Sequence, residues 1–131
     1  MTYLLDTMVW IWALDAYERL NAKARQVLED REGELYLSPV TTWELSIKMQ
    51  IGRLEFPGSP ASSIPAFMAQ QGVRPLLITH AHAAKVYELP PLHKDPFDRM
   101  LIAQALVENL TLLTADRVFR KYDVPILWAG R

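Results

Sequence analysis

Phe97-Asp98-Arg99-Met100-Leu101-Ile102-Ala103-Gln104-Ala105-Leu106-Val107-Glu108-Asn109 leads without a break into Leu110-Thr111-Leu112-Leu113-Thr114. The first part predicts the strongest helix in the chain, and the second a short, fully apolar strand. Asp95-Pro96 stands just upstream, with Asp95 suited to cap the helix and Pro96 to its first position. A helix that feeds an apolar strand is half of a βαβ unit, and the rest of the chain repeats the alternation. Tyr3 to Asp6 reads as a buried strand, with a helix over Thr7 to Leu14. Asn21 caps a helix to Asp30. Leu35 to Ser38 reads as a strand, separated by Pro39 from a helix over Thr42 to Met49. Phe56 to Pro65 reads as a loop by its Pro, Gly and Ser content. A short helix over Ser63 to Gln71, ended by Gly72, a strand over Leu76 to Ile78 and a helix over Thr79 to Leu89 follow. A helical turn over Arg117 to Tyr122 and a strand over Val124 to Leu127 complete the pattern. The expectation is an α/β fold: a mainly parallel central sheet covered by helices on both faces.

Bulk properties agree. A length of 131 residues is one ordinary domain, expected to span 1–131. Half the residues are apolar and 22% are charged, the composition of a soluble globular protein. No run is apolar enough to span a membrane and no basic-then-apolar leader opens the chain, so the expected location is the cytoplasm. The absence of cysteine removes disulfides, thiolate zinc sites and cysteine nucleophiles. A net charge of −1 is not the footprint of a strongly basic nucleic-acid binder, although a local basic rim remains compatible with it.

Four acids stand next to apolar runs: Asp6, Glu44, Asp98 and Asp116. In an open α/β sheet the carboxyl ends of the strands face one crevice, where ligands bind. Carboxylates gathered there repel unless a cation joins them. Each acid also has a plain structural role. Thr41-Thr42-Trp43-Glu44 matches a capping box. Asp95-Pro96-Phe97-Asp98 repeats that plan. Asp116 suits the N-cap of the last helical turn. Asp6 is the hardest to explain this way, because it ends an apolar strand and Thr7 could cap the next helix without it. On the residues alone, capping and metal binding both stay open. His80, His82 and His93 form no zinc spacing and suit surface or packing roles. No glycine-rich phosphate loop is present. Trp10, Trp12, Trp43 and Trp128 could stack bases, but packing suits them better.

In these motifs the chain resembles PIN-domain proteins, and more narrowly the VapC-type toxins of type II toxin–antitoxin pairs. Leu5-Asp6-Thr7 is similar to the family's first acid. Trp43-Glu44-Leu45-Ser46-Ile47-Lys48, continuing to Ile51-Gly52-Arg53-Leu54, is similar to the second-acid helix of one subgroup. His93-Lys94-Asp95-Pro96-Phe97-Asp98-Arg99 through Ala105 is the most specific match. Leu113-Thr114-Ala115-Asp116 resembles the fourth-acid motif. The resemblance implies a PIN-like α/β/α sandwich and a ribonuclease in which Asp6, Glu44, Asp98 and Asp116 hold Mg²⁺ or Mn²⁺. It puts Thr7, Asp95 and Thr114 behind those ligands. Lys48, Arg99 and Arg117 follow or flank the acids and could contact substrate phosphates, although solvated helix faces suit them at least as well. It also implies a small VapB-like antitoxin, an RNA substrate and a homodimer or larger toxin–antitoxin assembly. Val9-Trp10-Ile11-Trp12 and the loop 56–65 are candidate partner surface, and core packing explains the first equally well. Met8 departs from the pattern, because members of this subgroup often carry His or another polar residue there.

Three other readings compete for the same residues. A haloacid-dehalogenase phosphatase needs a second Asp where Met8 stands. A phospho-receiver needs paired acids after its first strand and a Lys near its last. A non-catalytic PIN-like binding module would keep the fold and the capping acids.

Overall fold

The computed structural model describes residues 1–131. Five strands form one sheet in the order β3-β2-β1-β4-β5, and every pairing is parallel. They are β1 (Thr2–Leu5), β2 (Glu34–Leu37), β3 (Val73–Pro75), β4 (Thr111–Thr114) and β5 (Ile126–Trp128). Six α-helices connect them: α1 (Thr7–Asp15), α2 (Ala22–Glu29), α3 (Pro39–Gln50), α4 (Pro60–Gln71), α5 (His80–Lys85) and α6 (Pro96–Glu108). Short 3₁₀ turns occupy Tyr17–Arg19, Val86–Glu88 and Arg117–Lys121. No helix is long and apolar enough to cross a membrane.

The strands read as unbroken apolar runs because both faces of the sheet are covered. Tyr3, Leu5, Leu35, Leu37 and Leu113 face one core with Val9, Trp10, Ala24 and Ile64 of α1, α2 and α4. Leu4 and Leu112 point the opposite way, into a second core with Leu101, Ile102 and Ala105 of α6 and Phe119. The period-two alternation of the strands thus divides the apolar residues between two layers. Helix α3 spans both, giving Leu45 to the first core and Val40 to the second.

Several local expectations need correction. The N-cap of α3 is Ser38, whose hydroxyl accepts from the Val40 N–H at 3.1 Å, and Pro39 opens the helix. Thr41 and Glu44 therefore form no capping box; Glu44 lies in the second turn. Asp6 itself caps α1, accepting from the Thr7 N–H at 2.8 Å, while Thr7 is the first helical residue. Helix α4 starts at Pro60, inside the stretch that read as loop, because proline suits a first helical position. Gly72, at φ +70°, ends α4 and turns the chain directly into β3, three residues before the expected strand. The caps Asn21, Asp95 and Asp116 are where the sequence puts them. Of the histidines, His82 is buried and ties α5 to α6. Its Nδ1 accepts from the Thr79 N–H, so Nε2 donates to Glu108 at 2.7 Å.

Candidate active site

The strand order reverses at the β1–β4 pair, since β2 and β3 extend the sheet to one side and β4 and β5 to the other. Crevices form at such switch points, beyond the carboxyl ends of the strands. Asp6 follows β1 and Asp116 follows β4, and the Asp6 N–H bonds the Leu113 carbonyl at 3.0 Å. Glu44 comes from α3 and Asp98 from the first turn of α6. All four line one cleft of about 540 Å³, together with Thr7, Met8, Trp12, Lys48, Asp95 and Arg117.

Each carboxylate is oriented by the chain. Asp6 is 6% exposed. Its Oδ1 accepts from the Thr7 N–H, and its Oδ2 from the Thr114 hydroxyl at 2.8 Å. The same Thr114 oxygen accepts the Asp116 N–H at 3.1 Å, so one side chain positions two acids. Thr7 Oγ1 donates to Glu44 Oε1 at 2.9 Å and lies 2.9 Å from the hydroxyl of buried Thr41. Glu44 Oε2 pairs with Lys48 Nζ at 2.8 Å. Asp95 Oδ1 accepts the N–H groups of Phe97 and Asp98, which leaves it capping α6 at the edge of the cleft. Asp98 Oδ2 lies 3.2 Å from His93 Nε2.

The acids feel one another. Burial pushes the Asp6 carboxyl up to about 6, against the lowering effect of Thr114 and Thr7, with Asp116 and Glu44 adding to the rise. Burial also pushes Asp98 up to about 8, with the charges of Asp95, Asp6, Asp116 and Glu44 contributing. The cleft thus carries more negative charge than its one paired lysine offsets.

These residues suit a hard divalent cation. The donors are carboxylate and hydroxyl oxygens, and a cation would favour the ionised carboxylates that burial, with a smaller contribution from their mutual repulsion, disfavours at Asp6 and Asp98. As the side chains stand, no three acidic or histidine groups are gathered closely enough to hold a metal ion together. Mg²⁺ retains several waters and needs only one or two direct carboxylates, so an open arrangement fits it.

The other predicted residues fall into two sets. Lys48 and Arg117 line the cleft, whereas Arg99 does not. The Arg99 guanidinium binds the carbonyls of Val86, Leu89 and Pro90 and the Tyr122 hydroxyl. Val9 and Trp10 are fully buried, so the aromatic run is mainly core. Pro60, Ala61, Ile64 and Pro65 line a separate apolar cleft of about 620 Å³ between α3 and α4, beside exposed Trp43. Two further residues touch the acids or their partners: Thr41, which the sequence offered only as a helix cap, and His93, which read as surface or packing although its place five residues before Asp98 was the available hint.

Residues 3–125 match the family model of the PIN domain. The chain belongs to the PIN domain family. Ribonuclease VapC22 of Mycobacterium tuberculosis is 31% identical over 125 residues, covering 95% of this chain and 94% of that protein. Ribonuclease VapC16 of the same organism is 35% identical over 72 residues, a match spanning only 51% of that protein. The fold of this PIN domain is shared with a VapBC2 complex from Rickettsia felis bound to a promoter DNA fragment. There the TM-score is 0.75 at 16% identity, with 99% of this chain and all of that one covered. VapBC-1 from nontypeable Haemophilus influenzae aligns with a TM-score of 0.63 at 19% identity, over 98% of both chains.

Proposed function

We propose that this PIN domain is a metal-dependent endoribonuclease and the toxin of a type II toxin–antitoxin pair. The observation that carries the reading is the convergence of Asp6, Glu44, Asp98 and Asp116, from four separate segments, on one cleft at the switch point of the sheet. The relatives named as ribonucleases support RNA as the substrate class.

Asp6, Glu44, Asp98 and Asp116 would hold Mg²⁺ or Mn²⁺. Bound there, the ion supplies an acidified water as nucleophile and neutralises charge on the phosphoryl oxygens and leaving group. Thr7 and Thr114 hold Glu44 and Asp6 in fixed rotamers, so the ligands are organised before substrate arrives. Lys48 and Arg117 border the cleft and suit contacts to the phosphates on either side of the cut. Arg99, bound to backbone carbonyls, leaves the substrate-contacting set.

For partners, we infer a small VapB-like antitoxin and self-association. The neighbouring folds are toxin–antitoxin complexes, and the apolar cleft beside Trp43 is partner-type surface. The test is cleavage of a mixed-sequence RNA by purified protein with Mg²⁺ or Mn²⁺, then with EDTA. Asp6→Asn and Asp98→Asn should each abolish cleavage with the fold intact. Cleavage that survives both changes sinks the quartet. Absence of Mn²⁺ binding at neutral pH favours the non-catalytic binding module instead.

A further inference from the structure

A hydrogen-bonded chain runs from Arg99 to Asp98 through two aromatic rings. Arg99 Nη1 lies 3.0 Å from the Tyr122 hydroxyl, Tyr122 Oη lies 2.6 Å from His93 Nδ1, and His93 Nε2 lies 3.2 Å from Asp98 Oδ2. The rings of His93 and Tyr122 meet edge to face, 5.4 Å between centroids. Tyr122 is buried, and the His93 and Asp98 side chains are each 17% exposed.

The direction of this chain follows from donor inventory. Guanidinium nitrogens only donate, so the Tyr122 oxygen accepts from Arg99. The Tyr122 proton then has His93 Nδ1 as its acceptor. A neutral imidazole that accepts at Nδ1 carries its proton on Nε2, and that proton faces Asp98 Oδ2. The opposite tautomer would aim two donors at the Tyr122 oxygen and leave the phenol proton without a partner. Arg99 is in turn held by the carbonyls of Pro90 at 2.8 Å, Val86 at 3.3 Å and Leu89 at 3.4 Å. The origin of the chain is therefore fixed by the backbone of the segment before α6.

We propose that His93 is a positioning residue for Asp98, and that Tyr122 and Arg99 set its tautomer. Its Nε2–H engages Oδ2 and turns the other carboxylate oxygen, Oδ1, toward the cleft. Asp98 sits in the first turn of α6, where its backbone is fixed by Asp95 but its side chain could still rotate. His93 removes that freedom. Ligand carboxylates that are themselves hydrogen-bonded bind metal more tightly, and loss of such a partner typically costs about 10–100-fold in affinity. The inference rests on the quartet being the metal site, but the hydrogen-bond chain itself does not.

The test therefore has two arms. In the first, ¹⁵N NMR of the His93 ring is recorded on metal-free protein over a series of pH values, and the tautomer is read where the ¹⁵N shifts themselves show a neutral ring. The Nε2–H tautomer is expected in the wild type and a mixture in Tyr122→Phe, which keeps the ring and its packing. An Nδ1–H tautomer in the wild type overturns the inference. In the second, Mn²⁺ affinity is measured by electron paramagnetic resonance. His93→Ala should weaken binding roughly 10–100-fold. His93→Gln, whose amide offers one acceptor and one donor, should recover most of the loss, and thermal midpoints should stay close to wild type. Equal Mn²⁺ affinity in wild type and His93→Ala also overturns it. If the wild type itself binds no Mn²⁺, the metal-site reading falls and this inference with it, an outcome told apart by the wild-type titration alone.

Discussion

Replacing Asp6 with Asn should stabilise the metal-free protein above neutral pH while abolishing catalysis. Asp6 is buried at the end of β1, and its folded carboxyl titrates near 6 rather than 3.8. The native state therefore binds more protons at this site than the unfolded chain between about pH 4 and pH 6. Wild-type stability from this group falls as pH rises through that window and stays low above it. The gap between 3.8 and about 6, at roughly 1.4 kcal/mol per pH unit, comes to about 3 kcal/mol. Asn removes the charge, and its Oδ1 can still accept from the Thr7 N–H. Its amide faces the Thr114 hydroxyl less well than a carboxylate does, at a cost of about 1 kcal/mol. The net expectation is a variant about 1–3 kcal/mol more stable than wild type at pH 8, and equal or slightly weaker near pH 4.5. In melting temperature this is several degrees, at roughly 3–6 °C per kcal/mol for a chain of this size. Urea unfolding in EDTA at a series of pH values measures the difference directly. A wild-type-to-variant difference that does not change with pH would refute the claim that Asp6 is held ionised against its surroundings.

Asp98, lifted to about 8, extends the same slope upward. Metal-free protein should lose thermal stability as pH rises from about 4 to 8, and saturating Mn²⁺ should flatten that loss; an unchanged slope in differential scanning fluorimetry counts against a metal among these acids. Ser38→Ala removes the cap of α3 and should cost about 0.5–2 kcal/mol in chemical denaturation, with Ser38→Gly nearer wild type. Thr114→Val takes one hydroxyl from both Asp6 and Asp116; we expect at least a tenfold loss of RNA cleavage with the far-ultraviolet circular dichroism unchanged. Leu101→Ala, in the second core, should cost about 2–5 kcal/mol, read as a fall in the denaturation midpoint.

Asp6, Asp98 and Asp116 were legible because the signals for strand ends and helix starts are local, whereas Glu44 was reached through a capping box that α3 does not contain. An apolar run followed by Asp, or Asp-Pro ahead of a helical pattern, identifies its position without knowledge of the partner strand. The same locality explains the errors. Pro39 and Pro60 read as breaks, yet both open helices, since proline ends a helix or starts one according to what precedes it. Arg99 read as a phosphate contact because it follows Asp98. Adjacent helical residues point about 100° apart, so it faces the carbonyls of residues 86–90 instead.

By itself the sequence determined the alternation of strands and helices, the caps at Asn21, Asp95 and Asp116, and a choice of four acids that share one cleft. Tertiary structure alone decided which hydroxyl meets which carboxylate. Thr114 reaches Asp6 across 108 residues, Thr7 reaches Glu44 across 37, and Tyr122 reaches His93 across 29. The first contact arises where the parallel order sets the ends of β1 and β4 side by side, and the other two join helix and turn residues; in each, a hydrogen bond depends on distance and direction in space rather than spacing along the chain.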